Sequence, residues 1–295
     1  MNSAAHSALE SMRVIDLSGT VATEYAAKLF CDYGADVVNI EPEEGFQTRL
    51  LPPFIKGTST SALHAYLNAN KKSVCGPFEK NYLERFLRKS DLFLYSLDDH
   101  KAMEVVSAFT VNQCCISWYG ANGAYSGYKG SDGCIQALSG LMRGIGAPPT
   151  YPLGVWPCKN GWLGVTALTP SQWKSFCQLL DLDEFIGIEF FDVSINRYMS
   201  IDVLEPAILK SLEEKDAEEL FYRGQEMRIP LARVPTMEEL LEIDQYKTRA
   251  AFTPIESGSK SFLAPSSPFR LLKTPAIDHR VLAELGEHNG YLEES

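Results

Sequence analysis

The feature that most constrains the fold lies near the start of the chain. There, short apolar runs flank a segment whose apolar residues are spaced as in a helix. Residues 13–17 form a short apolar run that ends at Ser18-Gly19-Thr20, as in a buried strand followed by a turn. Residues 23–33 carry apolar side chains at a helical spacing, Gly34 suits the end of that helix, and residues 37–40 form a second strand. Strand, helix and strand within about thirty residues predict a parallel sheet with a right-handed crossover.

The alternation continues through the first half of the chain. Helices are predicted at residues 63–68, 78–89, 101–109 and 135–143, and strands at 92–96 and 114–119. The predicted fold class is therefore α/β, with a doubly wound large domain over residues 1–150.

The second half of the chain predicts a smaller domain. Residues 144–157 are rich in Gly and Pro, which favours a connection. Helical and strand patterns then alternate and predict an α+β domain over residues 151–250. Short apolar runs return after it, so residues 251–295 are predicted to pack back on the large domain.

Composition narrows the class of protein. The net charge of −11 argues against nucleic acid or an anionic membrane as a partner. No apolar run approaches the ~20 residues of a membrane span, and residues 1–11 lack the basic and apolar parts of a signal peptide. The seven cysteines form no C-x-x-C pair and the five histidines no H-x-x-x-H pair, so neither disulfides nor a metal site are expected. These features predict a cytoplasmic protein.

Motifs along nearly the whole chain resemble those of one enzyme family. They lie at residues 14–17, 34–41, 132–141, 158–163, 229–236, 264–270 and 285–288. The chain resembles the family III CoA-transferases, which include formyl-CoA, carnitine and bile-acid CoA-transferases and have α-methylacyl-CoA racemase as a relative. The resemblance implies a Rossmann-like large domain and CoA or an acyl-CoA as the natural ligand.

The segment that carries the family's nucleophile is missing from this sequence. In family members a glycine-flanked Asp, which accepts the acyl group, follows the D-x-x-x-Q-A-x-S-G-L run found here at residues 132–141. Here Pro152-Leu153-Gly154 leads directly into residues 156–162, which resemble a strand entry well beyond that Asp. The racemase branch of the family uses a His and an Asp as paired acid and base. This pair is incomplete too, because Ser131 stands where that branch has its His.

Candidate site residues follow from the same resemblance. No catalytic residue is identified, and Asp132 and Ser131 are the candidates. Asp132 falls where formyl-CoA transferase has a Glu near its active centre, and Lys129 falls where it has a CoA-contacting Lys. Gly120 and Gly123 belong to a glycine-rich loop that would let a ligand approach the backbone.

Three further residues are candidates for binding the cofactor. Val21 and Ala22 lie where the family has a V-x-A-G-P run, although the Gly and Pro of that run are lost here. Lys71 lies in a stretch similar to the family's N-x-x-K-R-S, where a basic residue could meet a phosphate. The alternative for Lys71 and its neighbour is a solvated pair of lysines on a loop.

Several positions replace the family's CoA contacts with acidic residues. Asp98, Asp99 and Glu104 follow the strand at 92–96, and Glu43 and Glu44 follow the second strand, where an Arg is usual. Carboxylates would repel the phosphates of CoA, so CoA or acyl-CoA is a doubtful cofactor and none is assigned.

Two cysteines are fallback nucleophiles. Cys158 adjoins Lys159, and Cys134 lies within the 132–141 motif. A reactive thiol needs a base or a positive neighbour in space, and the alternative is an inert thiol.

Three functions remain open. The first is a degenerate, non-catalytic family member that acts as a partner subunit or binds a small molecule. The second is a repurposed enzyme for a non-CoA metabolite in the cleft between the domains. The third is a residual acyl-CoA transferase or racemase that another chain completes.

The missing segment also bears on assembly. Family dimers are threaded through one another like links, and the missing block contains one of the linkers that this needs. Residues 148–152 form a short, proline-rich bridge instead. A side-by-side homodimer, or a heteromer with an active paralogue, is predicted.

Overall fold

The computed structural model describes residues 7–107, 109–126, 128–139 and 151–291. The chain divides into two compact units, residues 1–131 together with 245–295, and residues 132–244. The domain limits predicted from the sequence, 1–150, 151–250 and 251–295, stay a prediction, and the boundary at 150 lies outside the described residues.

The first unit is built on a parallel sheet. Its strands are β1 (Arg13–Asp16), β2 (Asp36–Glu41), β3 (Lys72–Cys75), β4 (Leu92–Ser96) and β5 (Asn112–Ile116). Four helices follow the first four strands in turn: α1 (Val21–Asp32), α2 (Ala62–Asn68), α3 (Lys80–Leu87) and α4 (His100–Val106). The strand order is β3-β2-β1-β4-β5, with every pair parallel, which confirms the predicted α/β, doubly wound fold class.

Helices cover both faces of this sheet. Successive strand residues point to opposite faces, so Val14 packs with the core under α1, whereas Ile15 packs with Leu83 of α3 on the other side. Continuously apolar strands such as β4 are typical of a parallel sheet that is buried on both faces.

Helix α1 has well-defined ends. The Thr20 side chain accepts a hydrogen bond from Thr23 N, and the Thr23 side chain accepts one from Thr20 N, which makes a capping box. At the other end Gly34 has φ 97°, a backbone conformation that side chains with a Cβ rarely adopt.

The second unit contains a small antiparallel sheet and most of the remaining helices. The strands are β6 (Leu153–Pro157), β7 (Trp162–Thr166) and β8 (Leu231–Val234), in the order β6-β7-β8. The helices are α5 (Asp132–Leu138), α6 (Pro170–Leu179), α7 (Ser194–Met199), α8 (Ile201–Glu213), α9 (Ala217–Glu226) and α10 (Met237–Glu242). Its core is centred on Leu163, Trp173, Phe176, Leu204 and Ile208.

One expectation about this region is wrong. A connection is expected over residues 144–157, but the last five form strand β6 and pair with β7, while residues 144–150 lie outside the described residues. Gly154 and Pro157 have low strand propensity, so the sequence pattern does not predict this strand, which forms because it pairs with β7.

The C-terminal segment returns to the first unit. Helix α11 (Asp244–Thr248) leads to a hairpin of β9 (Phe252–Ser257) and β10 (Lys260–Pro265). Further on, Val281 O accepts a hydrogen bond from Asn70 N at 2.6 Å, and His288 N donates one to Ser73 O at 2.9 Å. These contacts tie the segment to the start of β3.

Candidate functional site

The carboxyl ends of strands β1 to β4 surround a pocket of about 320 Å3, which we call the sheet-end pocket. It is lined by residues that follow each of these strands, among them Ser18, Glu43, Phe46, Pro77 and Asp99. Ligands of doubly wound folds bind outside the carboxyl ends of the strands, where the strand order reverses. Here the order reverses between β1 and β4, so this pocket is the candidate site.

The lining of the sheet-end pocket is acidic. Glu43, Glu44 and Asp99 face it with Lys101 as the single cation among its described lining residues. Asp99 Oδ1 also accepts a hydrogen bond from Ala102 N at 3.0 Å and caps α4. The local field therefore favours a neutral or positively charged ligand over a phosphate.

Only some of the acidic residues expected from the sequence line the pocket. Of Asp98, Asp99 and Glu104, Asp99 lines the pocket, whereas Asp98 and Glu104 are exposed residues outside its lining. Glu43 and Glu44 contribute as expected from their place after β2.

A buried ion pair shapes the loop after β2. Arg49 donates two hydrogen bonds to the fully buried carboxylate of Glu41, each of 2.7 Å, and Glu41 Oε2 also accepts one from Phe46 N at 2.9 Å. Burial alone would raise the pKa of Glu41, but the hydrogen bonds and charge of Arg49 hold it below its ordinary value. The ring of Phe46 lies where a Cβ on Gly19 would come within 2.2 Å, so only glycine fits there.

A cluster of buried polar side chains lies beside the pocket, between the sheet and α1. Its members are all 3% exposed or less, and we call them the buried polar cluster: Asp16, Glu24, Asn39, Thr48, His64, Asn68 and Lys71. Asp16 and Asn39 are register partners on β1 and β2, so both side chains point to the α1 face of the sheet.

Hydrogen bonds connect the cluster. Lys71 Nζ donates to Glu24 O at 2.7 Å and to Asn68 Oδ1 at 2.9 Å. Thr48 Oγ1 lies 2.6 Å from Glu24 Oε1 and 2.7 Å from His64 Nδ1. Four atoms, Asp16 Oδ2, Glu24 Oε2, Asn39 Oδ1 and His64 Nε2, have no hydrogen-bond partner among the described residues.

Burial perturbs the titration of two members. It raises the pKa of Asp16 to about 6, against the attraction of Lys71. Burial lowers the pKa of Lys71, although the charges of Asp16 and Glu24 act in the opposite direction.

Replacement of Asp16 by Asn should stabilise the protein at pH 7 by up to about 3 kcal/mol, since one pKa unit corresponds to about 1.36 kcal/mol. The folded-state pKa of about 6 lies above the ordinary 3.8, so stability falls as the pH rises between these values. The advantage of Asp16→Asn should therefore disappear near pH 4. Urea unfolding of both proteins from pH 4 to 8 measures this, and parallel pH profiles would contradict it.

The alternative interpretation of Lys71, as one of two solvated lysines, is wrong. Its side chain is 3% exposed and donates hydrogen bonds inside the first unit, so it is not part of a solvated lysine pair. Lys72, by contrast, is partly exposed and pairs with Asp36. A cofactor-binding role for Lys71 stays a prediction.

Val21 and Ala22 are the exposed first two residues of α1. The next two positions, where the family motif continues with Gly and Pro, hold Thr23 and Glu24, both fully buried. Thr23 completes the capping box and Glu24 joins the buried polar cluster. The two residues that replace the Gly and Pro of the motif therefore have structural roles here.

The glycine-rich loop follows β5. Gly120 and Gly123 have φ 84° and 108°, and Lys129 is exposed. Tyr125 packs against Tyr128 with ring centroids 5.2 Å apart. None of these residues is among the described residues that line the sheet-end pocket.

The two catalytic candidates are consecutive in the chain. Ser131 is the last residue of the first unit, and Asp132 begins α5 in the second. Their catalytic roles stay predictions.

The cysteines differ in environment. Burial raises the pKa of the Cys158 thiol to about 11, so the thiolate is scarce near pH 7 and the inert alternative is favoured. Cys134 is exposed on α5. Within the described residues, no group of three or more His, Cys, Asp or Glu side chains is placed to hold a metal ion.

No helix in the described part of the chain is both long and apolar enough to cross a membrane.

Comparison with known proteins agrees with the fold. The model of CoA-transferase family III matches residues 9–155 and 143–289. The chain is similar to a CaiB/BaiF family protein from Brucella suis, with a TM-score of 0.79, 16% identity and coverage of 98% of this chain and 99% of that one. This likeness shows a shared fold.

Two curated relatives are similar over about half of this chain. The succinate–glutarate CoA-transferase of Agrobacterium fabrum is 29% identical over 165 residues, 49% of this chain and 41% of the relative. The succinyl-CoA:glutarate CoA-transferase of Mus musculus is 31% identical over 166 residues, 49% of this chain and 36% of the relative. The chain thus spans less than half the length of these relatives.

The doubly wound sheet defines an α/β protein with a pocket at the carboxyl ends of its parallel strands. The family match covers most of its length, and the chain belongs to CoA-transferase family III.

Proposed function

We propose that this chain is a non-catalytic member of family III, which binds a small molecule or a partner chain and does not itself transfer CoA. The observation that carries the proposal is the lining of the sheet-end pocket, where Glu43, Glu44 and Asp99 outnumber Lys101. Two features support it. No glycine-flanked Asp follows the run at residues 132–141, where the resemblance places it, and the two family matches overlap at residues 143–155.

Charge repulsion sets the free energy by which the pocket disfavours CoA. Two like charges about 4 Å apart repel by about 1 kcal/mol in bulk water and by about 4 kcal/mol near a protein surface. A CoA phosphate beside Glu43 and Glu44 would meet two such charges, with Lys101 as partial compensation. Micromolar affinity for CoA is therefore not expected at this pocket.

CoA should bind weakly or undetectably in calorimetry at physiological salt. Replacing Glu43 and Glu44 together by Gln should strengthen any binding, because the repulsion is removed. The exposed pair Glu213→Gln and Glu214→Gln, which is not part of the pocket lining, should change nothing. Low-micromolar binding by the unaltered chain would contradict the proposal.

Lys129→Ala tests the residue that the resemblance assigns to CoA. If CoA binds at all, this variant should weaken it by about tenfold, the scale of one charge-assisted hydrogen bond. Unchanged affinity would remove Lys129 from the site.

The acidic lining also favours a second function, that of a repurposed enzyme or binding protein for a neutral or cationic metabolite. A thermal-shift screen with CoA, acyl-CoAs, amines and neutral metabolites would find such a ligand. At about 100 times its dissociation constant, a ligand adds about 2.7 kcal/mol to stability. Stabilisation by an amine that Glu43→Gln abolishes would favour this second function.

One face of the β6-β7-β8 sheet supports association with a second copy. Its exposed side chains carry no charge and include Leu153, Val155, Trp162 and Val234, of which Trp162 and Val234 are register partners on β7 and β8. Contiguous exposed apolar surface of this kind marks interaction sites.

The chain should therefore sediment as a homodimer, and Val155→Lys should shift it towards monomer because a charge would have to be buried. Leu50→Lys, at an exposed apolar position of the first unit, is the matched control and should leave the dimer intact. A stable monomer of the unaltered chain would overturn this prediction.

A further inference from the structure

A groove with three arginines lies in the C-terminal segment of the first unit, away from the strand ends that form the sheet-end pocket. It consists of two neighbouring hollows of about 340 and 400 Å3 that share four residues, Ser266, Ser267, Phe269 and Arg270. Arg280 lines the first hollow and Arg249 the second. We call these hollows together the arginine groove.

Arg280 is held rigidly at the base of the groove. Its side chain is 2% exposed, and its Nη1 donates to Pro265 O at 3.1 Å while its Nη2 donates to Ser267 Oγ at 3.1 Å. Its Nε is buried and has no hydrogen-bond partner among the described residues. An unpaired N–H on a buried cation is costly, so an acceptor supplied by a ligand would be stabilising.

The charge around Arg280 is not balanced. Its Nη2 lies 3.5 Å from Asp32 Oδ2, but the same carboxylate oxygen also receives Lys28 Nζ at 2.5 Å. Two buried cations thus share one carboxylate. Burial lowers the pKa of Lys28, and the charge of Arg280 acts in the same direction against the attraction of Asp32.

The rest of the lining adds positive charge. Arg249 and Arg270 are exposed at the groove, and Asp278 is the carboxylate among its described lining residues. Three arginines therefore face one acid, in a chain whose net charge is −11. Guanidinium groups match carboxylates and phosphates in geometry as well as in charge.

One wall of the groove is apolar. Phe269 is half exposed and stacks on Tyr33, with ring centroids 4.7 Å apart. Leu272 lines the first hollow and is 96% exposed. On the polar side, Thr253 Oγ1 is buried without a hydrogen-bond partner among the described residues.

We propose that the arginine groove binds a small organic anion, whose carboxylate or phosphate group is held by Arg270 and Arg280 and whose apolar body packs on Phe269. The site is separate from the sheet-end pocket, and the proposal does not depend on the proposed function.

Calorimetric titration of the full chain with benzoate and with inorganic phosphate tests the proposal. Benzoate should bind more tightly, because its ring covers Phe269 while its carboxylate meets the arginines. Arg270→Ala should weaken both by about tenfold or more, the scale of a lost charge-assisted hydrogen bond. Arg270 is exposed, so this variant should fold normally, as circular dichroism would verify.

Arg88→Ala is the matched control, since Arg88 is also exposed in the first unit and pairs with Glu84 on α3. It should bind both anions like the unaltered chain. Phe269→Ala should weaken benzoate and spare phosphate. The proposal is overturned if neither anion binds at millimolar concentration, or if Arg270→Ala and Arg88→Ala bind alike.

Discussion

Replacing Lys71 by Met should destabilise the protein by about 3–5 kcal/mol, the usual cost of removing one partner of a buried charge cluster. The ammonium group is the cation of the buried polar cluster and the donor to Glu24 O and Asn68 Oδ1. Without it, both acceptors lose a donor and the carboxylates of Asp16 and Glu24 remain buried together. Domains are stable by about 5–15 kcal/mol, so this loss is a large fraction of the total.

Lys72→Met is the matched control, because Lys72 directly follows Lys71 and is the first residue of β3. Lys72 is 31% exposed and pairs with Asp36, so its loss should cost about 1 kcal/mol or less. The double variant Lys71→Met, Asp16→Asn should recover part of the stability, because the second change removes a carboxylate that the first leaves unpaired. Urea unfolding followed by circular dichroism measures all three. Equal losses for Lys71→Met and Lys72→Met, or no recovery in the double variant, would refute the role given to Lys71.

The sheet of the first unit could be predicted because its pattern is local. Strands β1, β2 and β4 are apolar runs bounded by turn residues, and β4 matches its predicted limits of 92–96. Strands β3 and β6 are short and contain or adjoin Gly and Pro, so their existence depends on neighbours that are distant in sequence.

The buried face of α1 could not be predicted in the same way. Its helical spacing points to Tyr25 and Leu29, yet Tyr25 is exposed, and Glu24, Lys28 and Asp32 are buried instead. Burial of these charges is tolerated because each has a partner. Lys28 and Asp32 pair with each other, whereas Thr48 at Glu24 and Arg280 at Asp32 come from far along the chain. The spacing of apolar residues along a helix carries no information about such distant partners.

The candidate site, like the fold, could be predicted only in part from the sequence. The acidic character of the region after β2 and β4 could be predicted from Glu43, Glu44 and Asp99, because residues that follow parallel strands meet at one edge. Which acids line the pocket depended on side-chain direction, which excluded Asp98 and Glu104. The arginine groove had no motif at all, since its arginines are spread over residues 249–280 and are joined only by the C-terminal fold.

The purified chain should not transfer CoA from succinyl-CoA to glutarate, the acyl pair named for two of its relatives. In family III the carboxylate of the glycine-flanked Asp attacks the thioester carbonyl and forms a mixed anhydride as the CoA thiolate leaves. The thiolate then attacks the aspartyl carbonyl, which releases the first acid and leaves an enzyme thioester. Under the proposed function no group of the chain forms either species, so its rate should equal that of the uncatalysed mixture.

The assay needs a catalyst that is known to work and a test for covalent chemistry. The Agrobacterium fabrum relative, under identical conditions, supplies the positive control. Hydroxylamine or borohydride added to the chain and succinyl-CoA should trap no acyl or aspartyl adduct by mass spectrometry, as the proposed non-catalytic function requires. Formation of glutaryl-CoA above background would show that another carboxylate has taken over. Loss of that activity in Glu43→Gln, Glu44→Gln or Asp99→Asn would then locate the nucleophile in the sheet-end pocket and replace the non-catalytic proposal with an enzymatic one.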